Sequence, residues 1–281
     1  MIVVTGATGN IGRPLVAALA EAGEDVVAVS RNAQPDGLPA GVRSAQADLG
    51  DFASIKPVLQ GADAFFILLA GELNGPGEAA VNLIDIAKEA GVKRVVLVSS
   101  QLAGTRTDTA SHNRLREFEA AVRESGLEYT ILQPAGFASN AYAWVESVRG
   151  RRTVFAPFGD VALPVIDPAD IADVAVAALR EDGHSGQTYV LTGPEAVGPR
   201  RQAAMFSEVL GEEVTYVELT REQATEAMSQ FMPEAVVKGT LDVLGSPLPV
   251  EQKVSPDVEK VLGRPARPFS EWVARNLPVF K

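Results

Sequence analysis

A chain of 281 residues with 46% apolar content is long enough for one large domain, or for a large domain with a smaller lobe. Its net charge of −11 argues against nucleic acid or an anionic membrane as partner, because binding a phosphate backbone needs clustered Lys and Arg. The absence of cysteine removes disulfides, thiolate catalysis and cysteine-ligated metal centres, and the two histidines, His112 and His184, stand in contexts too unlike to suggest a metal site.

The first element predicted is a buried strand over Met1 to Val4. A helix follows, with Ile11, Leu15 and Leu19 on one apolar stripe beside Ala18 and Ala22, ending near Gly23. Between them Gly6, Gly9 and Gly12 recur at every third position. Glycines there let backbone approach a ligand, and helix approach strand, where a Cβ would collide. The helix start offers unpaired N–H groups and the positive end of the dipole to an anion. Val26 to Val29 reads as the next strand, so residues 1 to 29 form the strand–helix–strand unit that turns a bare glycine triplet into a dinucleotide site.

The second strand closes on Ser30-Arg31. Arg31 lies nineteen positions beyond Gly12, close to the offset of about twenty at which an acid reads a ribose 2′-hydroxyl or an arginine accommodates a 2′-phosphate. No acid occupies the position, and Arg13 offers a second positive charge. NADP(H) is therefore expected in preference to NAD(H).

Strand-like and helix-like segments go on alternating: Val42 to Ala47, a helix over Phe52 to Leu59, Ala64 to Leu69, a helix from about Glu78 to Ala90, Arg94 to Val98, a helix over Asn113 to Glu124, and Glu128 to Leu132. Such alternation specifies an α/β fold, a Rossmann-type doubly wound parallel sheet with helices on both faces. The regularity breaks after Pro134. Residues 135 to 165 carry Phe137, Tyr142, Trp144, Phe155 and Phe158 among glycines and prolines, and the run Arg149, Arg151, Arg152 reads as a solvated turn. Asp167-Pro-Ala-Asp opens a helix, Thr188 to Leu191 reads as a strand, and helices over Arg200 to Leu210 and Arg221 to Met232 flank a strand near Val214 to Val217. The expected division is a dinucleotide-binding domain over 1–134 and a smaller substrate lobe over 135–281, with segments around 163–191 returning to the first. With neither a basic, apolar leader at the start nor an apolar run of about twenty residues, a cytoplasmic location is expected.

These residues resemble the NmrA-like branch of the atypical short-chain dehydrogenases/reductases, which includes NADPH-dependent quinone, azo-dye and triphenylmethane-dye reductases. The likeness rests on Thr5-Gly-Ala-Thr-Gly-Asn-Ile-Gly12, Ala47-Asp48-Leu49, Val98-Ser-Ser100, Ser125-Gly-Leu-Glu-Tyr-Thr-Ile-Leu-Gln-Pro134, Asp167-Pro-Ala-Asp-Ile-Ala172 and Leu262-Gly-Arg-Pro265. It implies Gly6, Thr8, Gly9, Asn10, Ile11 and Gly12 around the diphosphate, Arg31 at the 2′-phosphate and Asp48 near the adenine amine. Leu69, Ala70 and Gly71 would line the ribose and nicotinamide, with Ser99 also at the cofactor. Two departures stand out. Gln133 replaces the arginine usual before the proline, and the Tyr-x-x-x-Lys dyad is missing, since none of Tyr129, Tyr142, Tyr189 and Tyr216 is followed four places on by lysine.

Without the dyad, an unactivated ketone lacks its acid. A quinone, enone, azo or iminium acceptor is less demanding, because charge is delocalised while the cofactor carries the hydride. Phe137, Tyr142 and Trp144 are placed to stack on such an acceptor, Asn140 to orient it, Ser100 to hold a carbonyl oxygen, and His112 to exchange a proton near neutral pH. The sequence leaves open two other readings: a non-catalytic NADP(H)-sensing regulator, and an isomerase or dehydratase that retains its cofactor. Expected partners are a small-molecule substrate and at most one second copy of the chain, as monomer or homodimer, with no metal.

Overall fold

The computed structural model describes residues 1–32, 37–69 and 77–281. In chain order the first elements are β1 (Ile2–Val4), α1 (Gly12–Glu21), β2 (Val26–Ser30), β3 (Arg43–Gln46), α2 (Phe52–Ile55), β4 (Ala64–Leu68), α3 (Ala80–Glu89), β5 (Arg94–Val98), α4 (Gln101–Thr105), α5 (Asn113–Glu124) and β6 (Glu128–Pro134). There follow α6 (Val145–Arg151), β7 (Thr153–Ala156), α7 (Pro168–Arg180), β8 (Gln187–Leu191), α8 (Pro199–Leu210), β9 (Thr215–Glu218), α9 (Arg221–Met228), α10 (Glu234–Gly245), α11 (Asp257–Leu262), α12 (Phe269–Arg275) and α13 (Leu277–Phe280). Two compact units result. The first comprises Met1–Pro134, Pro168–Leu191 and Asp257–Arg264; the second comprises Ala135–Asp167, Thr192–Pro256 and Pro265–Lys281.

The first unit is the doubly wound sheet that the alternation implies. Its strands run β3-β2-β1-β4-β5-β6-β8, all neighbours parallel. β4 (AFFIL) and β5 (RVVLV) are near-continuous apolar runs because helices cover both their faces. On one face Val3, Phe65, Ile67, Val95 and Leu97 pack with Phe52, Leu83, Phe118 and Val122 from α2, α3 and α5. Across the other run α1 and α7, which pack against each other. The order reverses between β1 and β4, and at such a switch point ligands bind beyond the C-terminal ends of the strands. The Leu262-Gly-Arg-Pro265 segment has a structural use: Arg264 pairs with Asp170 and Asp173 of α7 at 2.8 and 2.6 Å.

The second unit holds a two-stranded parallel sheet, β7-β9, and an aromatic core of Phe206, Phe269, Trp272 and Phe280, against which Tyr142 and Trp144 pack. The basic run is tied down locally. Arg152 meets Glu212 at 2.6 Å and the Val148 carbonyl at 2.9 Å, and Arg151 lies over the Phe155 ring.

Candidate functional site

The turn joining β1 to α1 is built so that only glycine fits two of its positions. Gly6 has φ +64°, and a Cβ on it would stand 2.9 Å from Leu68 Cδ2; a Cβ on Gly12 would stand 2.1 Å from the Gly6 carbonyl oxygen. Gly9 N–H donates to the Gly6 oxygen at 3.0 Å, closing the turn. Thr5 locks it to the sheet, its Oγ1 donating to the Phe66 carbonyl at 2.9 Å and accepting from Leu68 N–H at 3.1 Å.

What the turn leaves open decides its chemistry. Ile11, at the N-cap of α1, supplies no side-chain cap, and the first turn carries no acid. Among the described residues the amides of Thr8, Asn10 and Ile11 make no backbone hydrogen bond. An uncapped helix start with free amides is a seat for an anion, so these residues fit a dinucleotide diphosphate.

At the end of β2, Arg31 is exposed and its guanidinium has no ion pair among the described residues; its carbonyl accepts from Gln46 Nε2 at 3.0 Å. Arg13 lies along the glycine turn, with Nε donating to the Thr8 carbonyl at 2.8 Å. Asp48 Oδ1 accepts Gly50 N–H at 2.8 Å, and its backbone exchanges hydrogen bonds with Ser54 Oγ, which orders the exit from β3. Leu69 is buried beyond β4. Ala70 and Gly71 lie outside the described residues.

Ser99 and Ser100, beyond β5, face different partners. Ser100 caps α4, accepting Leu102 N–H at 3.2 Å. Ser99 Oγ donates to Glu119 Oε1 of α5 at 2.5 Å, and the same oxygen receives Gln133 Nε2 at 2.9 Å. Glu119 is 4% exposed, and its other oxygen takes Arg123 at 2.9 Å. The Gln133 amide is thus satisfied by a buried carboxylate, which pairs in turn with an arginine one turn along α5. Glu119 was not among the residues singled out from sequence. A signal existed, because Leu115, Phe118, Glu119 and Val122 fall at i, i+3, i+4 and i+7, which puts the acid on the buried stripe. His112 is half-buried at the N-cap of α5, after a 3₁₀ turn over Ala110–His112.

The remaining candidates belong to the second unit. Phe137 bridges to Ile166 through its backbone, and Asn140 is exposed. Tyr142 stacks on Phe280 and donates to Asn276 Oδ1 at 2.6 Å, while Trp144 Nε1 donates to the Phe155 carbonyl at 3.1 Å. Burial, reinforced by the Asp167 charge and opposed by Arg275, raises the Tyr142 phenol above its ordinary pKa. In the first unit, burial and then Asp257 do the same to Tyr189, whose hydroxyl meets His184 Nδ1 at 2.9 Å. Neither phenol is tuned toward proton release.

Residues 6–182 match the model of a family described as NAD(P)H-binding. The chain belongs to that NAD(P)H-binding family. It is 35% identical, over the whole of this chain and 99% of the other, to a (4-alkanoyl-5-oxo-2,5-dihydrofuran-3-yl)methyl phosphate reductase of Streptomyces griseus. To an NAD(P)H azoreductase of Xenophilus azovorans it is 34% identical, again over 100% and 99%. Among solved structures, an NADPH-dependent quinone oxidoreductase of Escherichia coli complexed with NADPH superposes with a TM-score of 0.79 at 27% identity, covering 99% of this chain and 100% of that one. Full-length likeness to named reductases makes this member of the family an NAD(P)H-dependent reductase. Among the described residues no helix is long and apolar enough to cross a membrane.

Proposed function

We propose that this reductase uses NADPH in preference to NADH and reduces a small, flat, conjugated acceptor such as an enone, quinone, azo or iminium compound. The turn residues Gly6, Thr8, Gly9, Asn10, Ile11 and Gly12 hold the diphosphate, Arg31 takes the 2′-phosphate with Arg13 beside the turn, and Asp48 and Leu69 border the adenine and the ribose. A bound reduced nicotinamide supplies the hydride.

The observation that carries the acceptor class is the state of the tyrosines. None is followed by a lysine four places on, so the chain carries no Tyr-x-x-x-Lys pair to protonate a developing alkoxide, and burial raises the phenols of Tyr142, Tyr189 and Tyr216 above the ordinary value. An acceptor whose charge spreads over a conjugated system needs no such acid at the moment of hydride arrival. The relatives' names agree with this, one denoting an alkanoyl dihydrofuranone and the other an azo group. His112 is the proposed proton-exchanging residue and Ser100 the group that orients a carbonyl. Tyr142 and Trp144 act within the second unit, by fixing the aromatic core against which they pack.

Rapid mixing of the protein and NADPH with a panel of enones, quinones and azo dyes, followed at 340 nm, tests the reading. Oxidation with at least one acceptor and none with simple ketones is expected. Persistent NADPH absorbance with every conjugated acceptor would remove it.

A further inference from the structure

We propose that Glu119 is a positioning residue that fixes Ser99 as a hydrogen-bond acceptor toward the nicotinamide end of the dinucleotide. The inference rests on the proposed function only in requiring that a dinucleotide binds. A serine hydroxyl has one proton and two lone pairs, and here the proton is committed: Ser99 Oγ donates to Glu119 Oε1 at 2.5 Å. The commitment cannot easily reverse, because the partners of the Glu119 carboxylate among the described residues, Ser99, Gln133 Nε2 and Arg123, are all donors. Its side chain is only 4% exposed, and all three donors meet it as an acceptor. Ser99 N–H is committed too, to the Leu132 carbonyl at 2.7 Å. Ser99 therefore presents only lone pairs.

The strand order says which part of the ligand meets them. With the diphosphate at the β1–α1 turn and the adenosine end toward β2, where Arg31 stands, the second nucleotide extends over the C-terminal ends of β4 and β5, and Ser99 directly follows β5. A lone pair there selects a donor, which the nicotinamide carboxamide NH₂ supplies.

Calorimetric titration of the full chain with NADP⁺ and with its 3-acetylpyridine analogue, in which a methyl replaces that NH₂, reads the contact without turnover. The wild type is expected to favour NADP⁺ about tenfold, the worth of one hydrogen bond. In Ser99→Ala the ratio falls to near one. In Glu119→Leu no acceptor remains for the Ser99 proton, which is then free to point outward; the ratio drops toward one, although the residue never touches the ligand. Ser99→Thr, keeping the hydroxyl, retains the preference and supports the reading even if Glu119→Leu fails to fold. A wild-type ratio within about twofold of one, a Ser99→Ala protein that keeps the preference, or a folded Glu119→Leu protein that keeps it, overturns the proposal. Absence of heat from either compound with wild-type protein overturns the dinucleotide reading as well, and so marks the two failures apart.

Discussion

A methyl group at position 12 would sit 2.1 Å from the Gly6 oxygen and 2.7 Å from the Ala7 Cα, both of them backbone atoms that cannot step aside. At position 9 the nearest atom is 3.3 Å away, which a small shift absorbs. Gly12→Ala is therefore expected to cost about 1 to 3 kcal/mol of stability through overpacking and to abolish dinucleotide heat, whereas Gly9→Ala keeps its melting temperature and weakens binding less. Thermal melts and calorimetry on the two variants check the contrast; equal behaviour would mean that the turn is not held by close contact. Arg31 acts on a different part of the ligand. Removing a charge-assisted partner of the 2′-phosphate in Arg31→Ala should weaken NADPH by about 1.5 to 3 kcal/mol, roughly ten- to hundredfold in Kd, and leave NADH nearly unchanged. Equal losses for the two cofactors would deny Arg31 that role.

Elements were readable where the signal is local. α5 spans Asn113–Glu124, as its apolar spacing predicts, and the glycine turn could be recognised as a candidate site because its parts are contiguous in sequence. α2 stops at Ile55 rather than continuing to Leu59, because Pro57 has no N–H to extend the ladder. The helix expected over Arg221 to Met232 ends at Met228, and a separate helix, α10, begins after Pro233, where no helix was expected. The Ser99–Glu119–Gln133 cluster was hidden for another reason: three elements bring it together, and no spacing rule links 99, 119 and 133. Non-local packing also gives α13 its place. Phe280 is fully buried and touches Tyr142, Phe206 and Trp272. Phe280→Ala should cost about 3 to 5 kcal/mol. The chain's two tryptophans, Trp144 and Trp272, both stand in the second unit, so fluorescence-detected urea unfolding follows that unit, and its midpoint should fall with little change in slope. An unmoved midpoint would mean that the helix is dispensable to that core.

For the whole molecule the dominant electrostatic fact is the excess of acids, 36 against 25 Lys and Arg, and the answer to acid depends on how those carboxylates are held. Hydrogen bonds and charge from Lys93 and the N-terminal ammonium pull Asp63 down to about 2. Burial pushes Glu117 up, but the Ala80 amide and Arg114 outweigh it and leave its pKa lowered. Arg152 lowers Glu212, and Glu222 is lowered by its own backbone amide and Thr220. A carboxylate whose folded pKa lies below its unfolded one binds fewer protons in the native state, so its contribution is complete above the unfolded value and fades as pH drops through the folded one. From pH 7 to about 5 the unfolded chain takes up few extra protons, while protonation of other acids eases the self-repulsion of a net −11. The melting temperature should therefore hold or rise slightly to about pH 5, then fall steadily between about pH 4 and 2. Added NaCl should raise it more at pH 7 than at pH 5, since screening matters most where net charge is largest. Melts in half-unit steps of pH at two salt concentrations measure both effects, with Asp63→Asn expected to shallow the acid limb; a midpoint constant down to pH 2.5 would show that these contacts do not distinguish the folded from the unfolded chain.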